Sequence, residues 1–414
     1  MIIVRAKYLV PDPENCIENG AVAIKGTKIH RVGTFNELKM LAETEKVIDL
    51  ENAVILPGFI NAHTHLDLTN LHRRIKPTHN FTHWVFQLLA ARIRWRDDEY
   101  ISSIEKGIKL SVEAGTTTIA DIANTSHSFS VLKKSPLRKV VYKEIIDLDP
   151  DHANDVLKKT RSELSAITTD ELFHTGLSPH APYSVSQELY RGVSQLAHEA
   201  HMSVCTHIAE TEDEIEFLMK GTGNFLALLR QIRAINNNWR PPGLLPVMYL
   251  NETGLLGNHP LLIHCNYITD EEISVIKSSC ANVAFCPRSH RFFGHVNHPV
   301  QRLLDAGVNV GLGTDSLASN DTLSILDEMK FLFHHYSILP KTLLSMATLN
   351  GAKSLGMESR VGQIKEGFEA DLCGVRLPDC HSENIYNQLL SDVSRNVFTM
   401  IAGVICYDAS SSEK

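Results

Sequence analysis

The feature that most constrains the fold of this 414-residue chain is an alternation of apolar, β-rich runs with helix-like stretches across its middle. Such alternation is typical of parallel strands joined by helices, and eight units favour a closed (β/α)8 barrel over a doubly wound open sheet. No Gly-x-Gly-x-x-Gly motif follows an early strand, so a dinucleotide-binding fold has little support. The predicted strands cover residues 59–65, 117–122, 139–146, 173–179, 203–208, 261–265, 282–286 and 308–313. The predicted helices cover 99–114, 186–200, 212–220, 270–279, 299–306 and 323–334.

Short β-type runs also occupy both ends of the chain. Near the N-terminus they are separated by turn residues, among them Pro11 and Pro13. We expect the two ends to pair in one small β-sandwich domain made of residues 1–56 and 360–414, beside a barrel of residues 57–359. The predicted strands of this domain cover residues 2–5, 21–25, 28–32, 47–50, 54–56, 361–364, 370–375 and 397–407.

Composition limits the class of protein and its partners. An apolar fraction of 43%, a charged fraction of 21% and the absence of any 18-residue apolar stretch predict a soluble globular protein. No signal-peptide pattern is visible at Met1–Arg5, so we expect a cytoplasmic location. The formal charge of -8, without long runs of one sign, argues against nucleic acid as a partner. We expect a small-molecule substrate and no membrane partner, and leave a homodimer open.

The cysteines predict reduced, mostly buried thiols. No Cys-x-x-Cys pair is present, which disfavours a cysteine-based metal site. The eight are Cys16, Cys205, Cys265, Cys280, Cys286, Cys373, Cys380 and Cys406.

Two histidines, His63 and His65, end the first predicted barrel strand, which opens after a Pro57-Gly58 break. Side chains alternate along a strand, so residues i and i+2 project to the same face. The pair therefore offers half of a metal site, whereas two solvent-facing histidines after a core strand are the simpler alternative.

Further metal-binding residue types follow the later strands. His180 follows strand four, His207 ends strand five, His264 lies at the end of strand six, and Asp315 follows strand eight. Strand ends of one barrel meet at its C-terminal face, where active sites form. Imidazoles with one carboxylate suit Zn²⁺ or Fe²⁺ better than Mg²⁺ or Ca²⁺. The predicted metal ligands are His63, His65, His207 and Asp315.

Each ligand also has a structural alternative. His207 lies in an apolar run, where it would be a satisfied core histidine, and Asp315 would cap the next helix. Taken together these alternatives weaken, because they would have to account for ligand-type residues at separate points on one face of the same barrel.

Glu210 lies three residues after His207, just beyond the strand end. A metal lowers the pKa of bound water, and a nearby carboxylate can carry the proton to a leaving group. Thr211 and Glu214 have the spacing of a capping box, so the glutamates of 212–216 are predicted to be helix-start and surface acids. Because Glu210 precedes that box, we predict that Glu210 is catalytic.

These motifs resemble the amidohydrolase superfamily, specifically the mononuclear cytosine-deaminase-like branch with chlorotriazine hydrolases, guanine deaminase and adenosylhomocysteine deaminases. The resemblance extends over nearly the whole chain. Its two late segments, 347–353 and 367–372, mark the exit from the barrel and the return to the accessory sheet in that family. The other matching segments are 57–65, 178–184, 206–211 and 313–316.

The resemblance implies a role for each site residue. His63, His65, His207 and Asp315 match the metal ligands of the family. Glu210 matches its proton shuttle, His264 a histidine that orients or polarises the attacking water, and His180 a substrate-contacting histidine. Binuclear relatives use a carbamylated lysine after strand four, where this chain has His180. The resemblance therefore implies one divalent metal ion, zinc first and iron as the alternative.

The implied reaction is hydrolytic deamination of an aromatic heterocycle. In it, water attacks an amino-bearing aromatic carbon while Asp315 accepts a proton from the water. Glu210 then protonates the ring nitrogen, and ammonia leaves. His264 holds the attacking oxygen.

Four further residues are candidates for substrate binding. Asp67 follows the histidine pair at the same alternation, and Trp84 matches a loop over the active site in nucleoside deaminases. Arg288 would bind a substrate carboxylate, and His290 stands where many relatives have asparagine. The alternatives are that Asp67 is only a loop carboxylate, that Trp84 is a core aromatic residue, and that Arg288 is a solvated loop arginine.

The segment 63–68 and the loop at Arg288 resemble aminodeoxyfutalosine deaminases of menaquinone synthesis, whose substrate carries a benzoate. An adenosylhomocysteine or methylthioadenosine deaminase is the nearest alternative. Metal-dependent dechlorination of another heterocycle and a catalytically inactive scaffold are the others.

Overall fold

The computed structural model describes residues 1–41, 44–78, 80–235, 238–378 and 384–411. Its strands are β1 Ile2–Arg5, β2 Tyr8–Asp12, β3 Asn15–Glu18, β4 Gly20–Lys25, β5 Lys28–Thr34, β6 Lys46–Asp49, β7 Ala53–Pro57, β8 Phe59–Thr64, β9 Thr116–Ala123, β10 Arg138–Ile145, β11 Phe173–Pro179, β12 Ser203–Ile208, β13 Leu261–His264, β14 Asn282–Phe285, β15 Asn309–Leu312, β16 Leu372–Arg376, β17 Arg395–Ile401 and β18 Val404–Asp408.

The α-helices are α1 Phe35–Leu38, α2 Phe81–Arg92, α3 Asp97–Glu113, α4 Ser126–Lys134, α5 Ala153–Ser165, α6 Gln187–Ala200, α7 Glu212–Lys220, α8 Gly223–Gln231, α9 Pro246–Glu252, α10 Asp270–Ser278, α11 Pro287–Phe292, α12 Val300–Asp305, α13 Ile325–His335, α14 Pro340–Ala347, α15 Leu349–Ser354 and α16 Ile385–Leu389. Short 3₁₀ segments cover Leu66–Leu71, Pro150–His152, Leu255–Asn258 and Ala409–Ser411.

Strands β8 to β15 form one parallel sheet in sequence order, with helices in the connections, which confirms the predicted (β/α)8 barrel. The sheet curls so that its last strand reaches its first. There the backbone N–H groups of Thr314 and Asp315 donate to the carbonyl of His63 at 3.0 and 3.1 Å. This closure brings His63, in β8, and His65, just after it, beside Asp315, which follows β15.

The opposite end of the barrel is filled by side chains from α15 and the segment after it. Ala352, Leu355 and Val361 pack in one buried cluster with inward-facing residues such as Ile60 and Ile263. Gly351 permits this approach, because a Cβ there would lie 2.9 Å from Ile60 Cβ. The site is therefore confined to the C-terminal ends of the strands.

Two further sheets flank the barrel. One is four-stranded, in the order β5-β4-β1-β6, and the other is six-stranded, in the order β18-β17-β16-β7-β2-β3. The second draws strands from both ends of the chain, because β7 pairs antiparallel with β16. Val22 and Ile24 of the first sheet share a buried cluster with Phe398 of the second. The pairing of the two ends is thus confirmed, and the domain boundaries stay a prediction.

The structure corrects two of the predicted end segments. Residues 361–364 do not form a strand: Val361 packs into the base of the barrel and Ile364 into the cluster between the end sheets. The apolar residues there reflect burial without strand pairing. Pro11 lies inside β2 instead of a turn, at a register shift of the β2–β3 ladder where proline's missing N–H is tolerated.

The structure agrees with the predictions for residues 397–407 and for the cysteines. The predicted run 397–407 is a hairpin of β17 and β18, which turns at Ala402-Gly403. Seven cysteines are free thiols, and Cys205, Cys265, Cys286 and Cys373 are buried. Cys380 lies outside the described residues. No helix within those residues combines the length and apolar character needed to cross a membrane.

Candidate metal centre and active site

His63, His65 and His207 come together at the C-terminal face of the barrel. Their candidate ligand atoms lie within 4.8 Å of one another, and the two Nε2 atoms of His65 and His207 are 3.3 Å apart. His63 lies near the C-terminal end of β8 with its side chain buried, and His207 lies near the C-terminal end of β12. The spacing of these three side chains suits ligation of a single ion.

Asp315 is the fourth member of this cluster. Its Oδ1 lies 3.6 Å from His63 Nε2 and 3.9 Å from His65 Nε2. Two hydroxyl groups, Ser289 Oγ and Ser319 Oγ, each donate to Asp315 Oδ2 at 2.7 Å. Burial would raise the pKa of Asp315, but the contact with His63 holds it well below its usual value. The carboxylate is therefore ionised and oriented.

The donor set fits a divalent metal ion. Both ring nitrogens of His63 are buried and have no hydrogen-bond partner among the described residues, which is costly unless another group satisfies them. Burial holds the pKa values of His65 and His207 well below their usual range, so both rings are neutral and able to ligate. His207 Nδ1 lies 3.0 Å from the carbonyl oxygen of His180, which leaves Nε2 facing the cluster.

Glu210 and His264 stand side by side next to this cluster. Glu210 Oε1 is 3.4 Å from His264 Nε2, and Tyr183 donates its hydroxyl to Glu210 Oε2 at 3.4 Å. Burial raises the pKa of Glu210 well above its usual value, with added repulsion from Asp315 and Glu214. Burial also lowers the pKa of His264 to about 3. A carboxyl group whose protonated form burial favours and a neutral imidazole therefore face the same space.

Glu214 corrects one of the sequence interpretations. Thr211 does cap α7, since its side chain accepts the Glu214 N–H at 3.2 Å. The Glu214 carboxylate, however, is fully buried and accepts the backbone N–H groups of Ala209 and Glu210 at 2.9 and 3.0 Å. It therefore fixes the turn that presents Glu210 and is not a surface acid. The capping spacing concealed this role.

A cavity of about 950 Å³ opens over the cluster and includes most of the predicted substrate contacts. Asp67, His180 and Trp84 line it. His180 Nδ1 is 2.6 Å from Ser184 Oγ. Trp84 is buried, and its indole N–H donates to the carbonyl of Ala318 at 3.2 Å.

A group of four polar residues, here named the polar wall, lines one side of the cavity beside His180: Asp67, Arg92, Asn124 and Glu144. Arg92 Nη2 is 3.6 Å from Asp67 Oδ2 and donates to Asn124 Oδ1 at 2.8 Å. Asn124 in turn donates to Glu144. Burial raises the pKa of Asp67 to about 7, although Arg92 opposes the shift. Apart from Asp67, no sequence motif pointed to these residues.

Two predicted substrate residues lie outside the cavity lining. The backbone N–H of Arg288 donates to Glu328 at 3.0 Å, and its guanidinium donates to Asn320 at 3.2 Å. His290 is buried near His295 and His298, and burial lowers its pKa to about 2. The structure thus uses Arg288 and His290 to support the loop after β14, and we do not retain them as substrate contacts.

Comparisons with known proteins agree with this geometry. The family model described as "Amidohydrolase family" matches residues 54–406. A 5-methylthioadenosine/S-adenosylhomocysteine deaminase of Syntrophobacter fumaroxidans is 28% identical over 403 residues, covering 94% of this chain and 87% of the relative.

Two solved structures share the whole architecture. The aminofutalosine deaminase of Helicobacter pylori, in complex with methylthio-coformycin, superposes with a TM-score of 0.86 at 25% identity, covering 98% of this chain and all of its own. An atrazine chlorohydrolase of Arthrobacter aurescens TC1, complexed with zinc, gives a TM-score of 0.82 at 20% identity, covering 99% and 96%. The second likeness concerns the fold alone.

Proposed function

The chain belongs to the amidohydrolase family and is a hydrolytic deaminase, and we propose that it removes the 6-amino group of a purine nucleoside that carries a further aromatic carboxylate, with aminodeoxyfutalosine as the first candidate. The observation that carries this proposal is the buried cluster of three imidazoles and an aspartate, with a glutamate facing the same cavity whose protonated form burial favours. In this reaction the oxygen of water replaces the amino group, and ammonia is released.

The proposed metal is zinc, held by His63, His65, His207 and Asp315. Three imidazoles and one carboxylate are ligands that zinc prefers, and one structural relative was crystallised with zinc. The chemistry that such an ion supplies when bound is acidification of the attacking water. Iron is the alternative ion for the same ligands.

The protein's own groups supply the proton transfers in this proposal. Asp315, held ionised, accepts the proton of the attacking water. Glu210, whose protonated form burial favours, delivers its proton to the ring nitrogen, so that the negative charge developing on the ring is neutralised. His264 lies 3.4 Å from Glu210 and, as a neutral ring, would hold the attacking water.

The size and lining of the cavity support a substrate larger than adenosine. A volume of about 950 Å³ accommodates a nucleoside with an additional ring. Phe225, Leu229 and Trp239 give the outer part of the lining an aromatic and aliphatic character. Arg233 and Arg240 line the same part, and a guanidinium there suits a carboxylate. In this proposal they take the role that the sequence suggested for Arg288.

A second candidate is deamination of methylthioadenosine or S-adenosylhomocysteine. It is favoured by the 28% identity to the Syntrophobacter enzyme across nearly the whole chain. Both candidates share the 6-aminopurine and differ only in the group that would occupy the outer part of the cavity.

Assays of purified, zinc-loaded protein on a panel of 6-aminopurine nucleosides test the proposal. Absorbance follows conversion of the aminopurine to the hypoxanthine chromophore, and ammonia is measured independently. We expect the highest kcat/KM for aminodeoxyfutalosine. A higher value for S-adenosylhomocysteine would select the second candidate. No ammonia from any nucleoside, with chloride released from a chlorotriazine, would overturn the proposal.

A further inference from the structure

We infer that Glu328, a buried glutamate of α13, is a positioning residue that holds the Asp315 carboxylate in the orientation required of a metal ligand. Within the described part of the chain, no hydrogen bond joins Glu328 to Asp315 directly. Glu328 acts through the two segments whose hydroxyl groups contact the aspartate, the start of α11 and the loop after β15. The inference rests on the proposed metal site and adds to it the group that keeps one ligand in place.

The orientation of Asp315 depends on groups outside the metal cluster. Ser289 Oγ and Ser319 Oγ each lie 2.7 Å from Asp315 Oδ2, and the two hydroxyl oxygens are 3.0 Å apart. This leaves Asp315 Oδ1 facing His63 Nε2 at 3.6 Å. The backbone of Asp315 has a φ of 56°, a conformation that costs energy in a residue other than glycine. What holds the two serines and this turn therefore decides where Oδ1 points.

Each carboxylate oxygen of Glu328 holds one of the two serine segments. Oε2 accepts the backbone N–H of Arg288 at 3.0 Å, and Arg288 directly precedes Ser289. Oε1 accepts the side-chain amide of Asn320 at 2.7 Å, and Asn320 directly follows Ser319. One carboxylate therefore fixes the spacing of the two hydroxyl groups that meet on the aspartate.

Asn320 extends this support to the strained turn. Its amide nitrogen donates to the carbonyl of Thr314 at 2.8 Å as well as to Glu328, and Thr314 directly precedes Asp315. Its amide oxygen accepts the backbone N–H of Asp321 at 2.7 Å. Loss of the Glu328 carboxylate would release one side of this amide, and with it the backbone that leads into the turn.

The surroundings of Glu328 fit a positioning role. The residue is 0% exposed and lies outside the cavity lining, so it is not placed to contact a substrate. Burial raises the pKa of Glu328 to about 8, although the hydrogen bonds from Asn320 and Arg288 oppose the shift. An acid in the first turn of a helix can also serve the helix dipole, but that role requires neither burial nor contacts with two other segments. Burying a carboxylate is costly, and here its hydrogen bonds join the segments around Asp315.

The first test measures the zinc affinity of Glu328→Gln by competition with a chromophoric chelator. The amide keeps the size of the side chain, but its NH₂ group would face another donor at Arg288 or Asn320. Groups that orient a metal ligand typically contribute about 10- to 100-fold to metal affinity or activity. We expect the Kd for zinc to rise by about that factor, and kcat to fall with little change in KM. The zinc measurement needs no substrate, so it is independent of the proposed nucleoside.

Glu272→Gln is the matched control. Glu272 is also 0% exposed, and its two oxygens likewise accept N–H groups from two segments, that of Val247 at 3.0 Å and that of Thr269 at 2.9 Å. Among the described residues, neither segment carries a hydroxyl group that contacts Asp315. We expect this variant to keep the wild-type Kd for zinc. Urea unfolding of both variants separates a loss of stability from a loss of affinity.

Two further variants test the route from Glu328 to Asp315. Asn320→Ala keeps the Glu328 carboxylate but removes the amide that joins it to the turn, and it should also raise the Kd for zinc. It serves as the test of the same route if Glu328→Gln does not fold. In a background that carries Ser289→Ala and Ser319→Ala, Glu328→Gln should lose most of its effect, because the hydroxyl groups through which it acts are gone.

Three results would overturn the inference. The first is a wild-type Kd for zinc in folded Glu328→Gln or in folded Asn320→Ala. The second is an equal rise in Glu272→Gln, since any buried glutamate would then have the same effect. The third is a full effect of Glu328→Gln in the background without the two hydroxyl groups.

Failure of the proposed function gives a different result. A wild type that binds zinc but releases no ammonia from any nucleoside would overturn the proposed function, and the zinc affinities would still support the role of Glu328. A wild type that binds no zinc would overturn the metal site and this inference together.

Discussion

At the level of single residues, the chemistry depends on buried groups that are held away from their ordinary protonation state. Glu210 is the clearest case, because burial, Asp315 and Glu214 all favour its protonated form. The Tyr183 hydroxyl and the Glu214 carboxylate fix its side chain and its backbone. The surroundings of Glu210 thereby favour a proton donor beside the imidazoles of the cluster.

Replacing Glu210 with glutamine should abolish turnover and leave metal binding intact. The amide keeps the size of the side chain but has no acidic proton, and general acid–base groups typically contribute about 10²- to 10⁴-fold. Steady-state deamination rates and the zinc content by elemental analysis test this. Wild-type turnover in the variant would rule out Glu210 as the proton shuttle.

His298 is predicted to position His264. Both His264 and Cys265 have positive φ, at 74° and 55°, a conformation that costs energy in residues other than glycine. His298 Nε2 is 2.9 Å from the carbonyl oxygen of His264, and its ring stacks on Phe285 at 3.6 Å. His298→Leu should lower kcat about tenfold or more with little change in KM, because this hydrogen bond fixes a strained turn.

The control for His298 is His298→Gln, whose amide can donate the same bond and should retain most of the activity. In a His264→Asn background, His298→Leu should have no further effect on kcat. An equal loss from His298→Leu in both backgrounds would mean that His298 does not act through His264.

At the level of elements, a buried ion pair joins the barrel to the end sheets. Arg138, the first residue of β10, lies 2.8 Å from Asp371, which precedes β16, and both side chains are 2% exposed. Asp371 also accepts the backbone N–H of Ala402 at 2.7 Å, in the turn between β17 and β18. One guanidinium thus fixes the contact between two separate sheets.

Removing that guanidinium should destabilise the protein strongly. Arg138→Met leaves the Asp371 carboxylate buried without its cation, for which the expected loss is about 3–5 kcal/mol in free energy of unfolding. Arg376→Met is the matched control, since its ion pair with Glu51 is exposed and should contribute less than about 1 kcal/mol. Urea unfolding measures both, and equal losses would contradict the prediction.

Among the elements, the barrel strands were predictable from the sequence. The barrel strands β11 and β12 match their predicted bounds because each is a short, mostly buried segment. The segment 361–364 was misassigned because its apolar residues serve two different clusters without pairing. A local run of apolar residues indicates that a segment is buried. Burial alone does not distinguish a strand from a buried connection.

At the scale of the whole molecule, the face of the barrel that carries the chemistry was predictable, and the second layer of the site was not. The ligand types follow strand ends, so the barrel alone brings His63, His207 and Asp315 together. Arg92 and Glu144 carry no local signal, because their roles depend on contacts between elements far apart in sequence. The same dependence placed Arg288 against Glu328 instead of in the cavity.

Metal removal is predicted to affect the stability of the whole barrel as well as its activity. The ligands come from β8 or the residue after it, from β12 and from the loop after β15, so a bound ion ties the first barrel strand to the last. An ion present at 100 times its Kd would add about 2.7 kcal/mol to the free energy of unfolding. Dialysis against a chelator should therefore abolish deamination and lower the thermal midpoint, and zinc should restore both.

In His65→Ala, which lacks one ligand, the chelator should shift the midpoint much less. Full activity in protein shown to be metal-free would refute the metal-dependent mechanism while leaving the barrel assignment untouched.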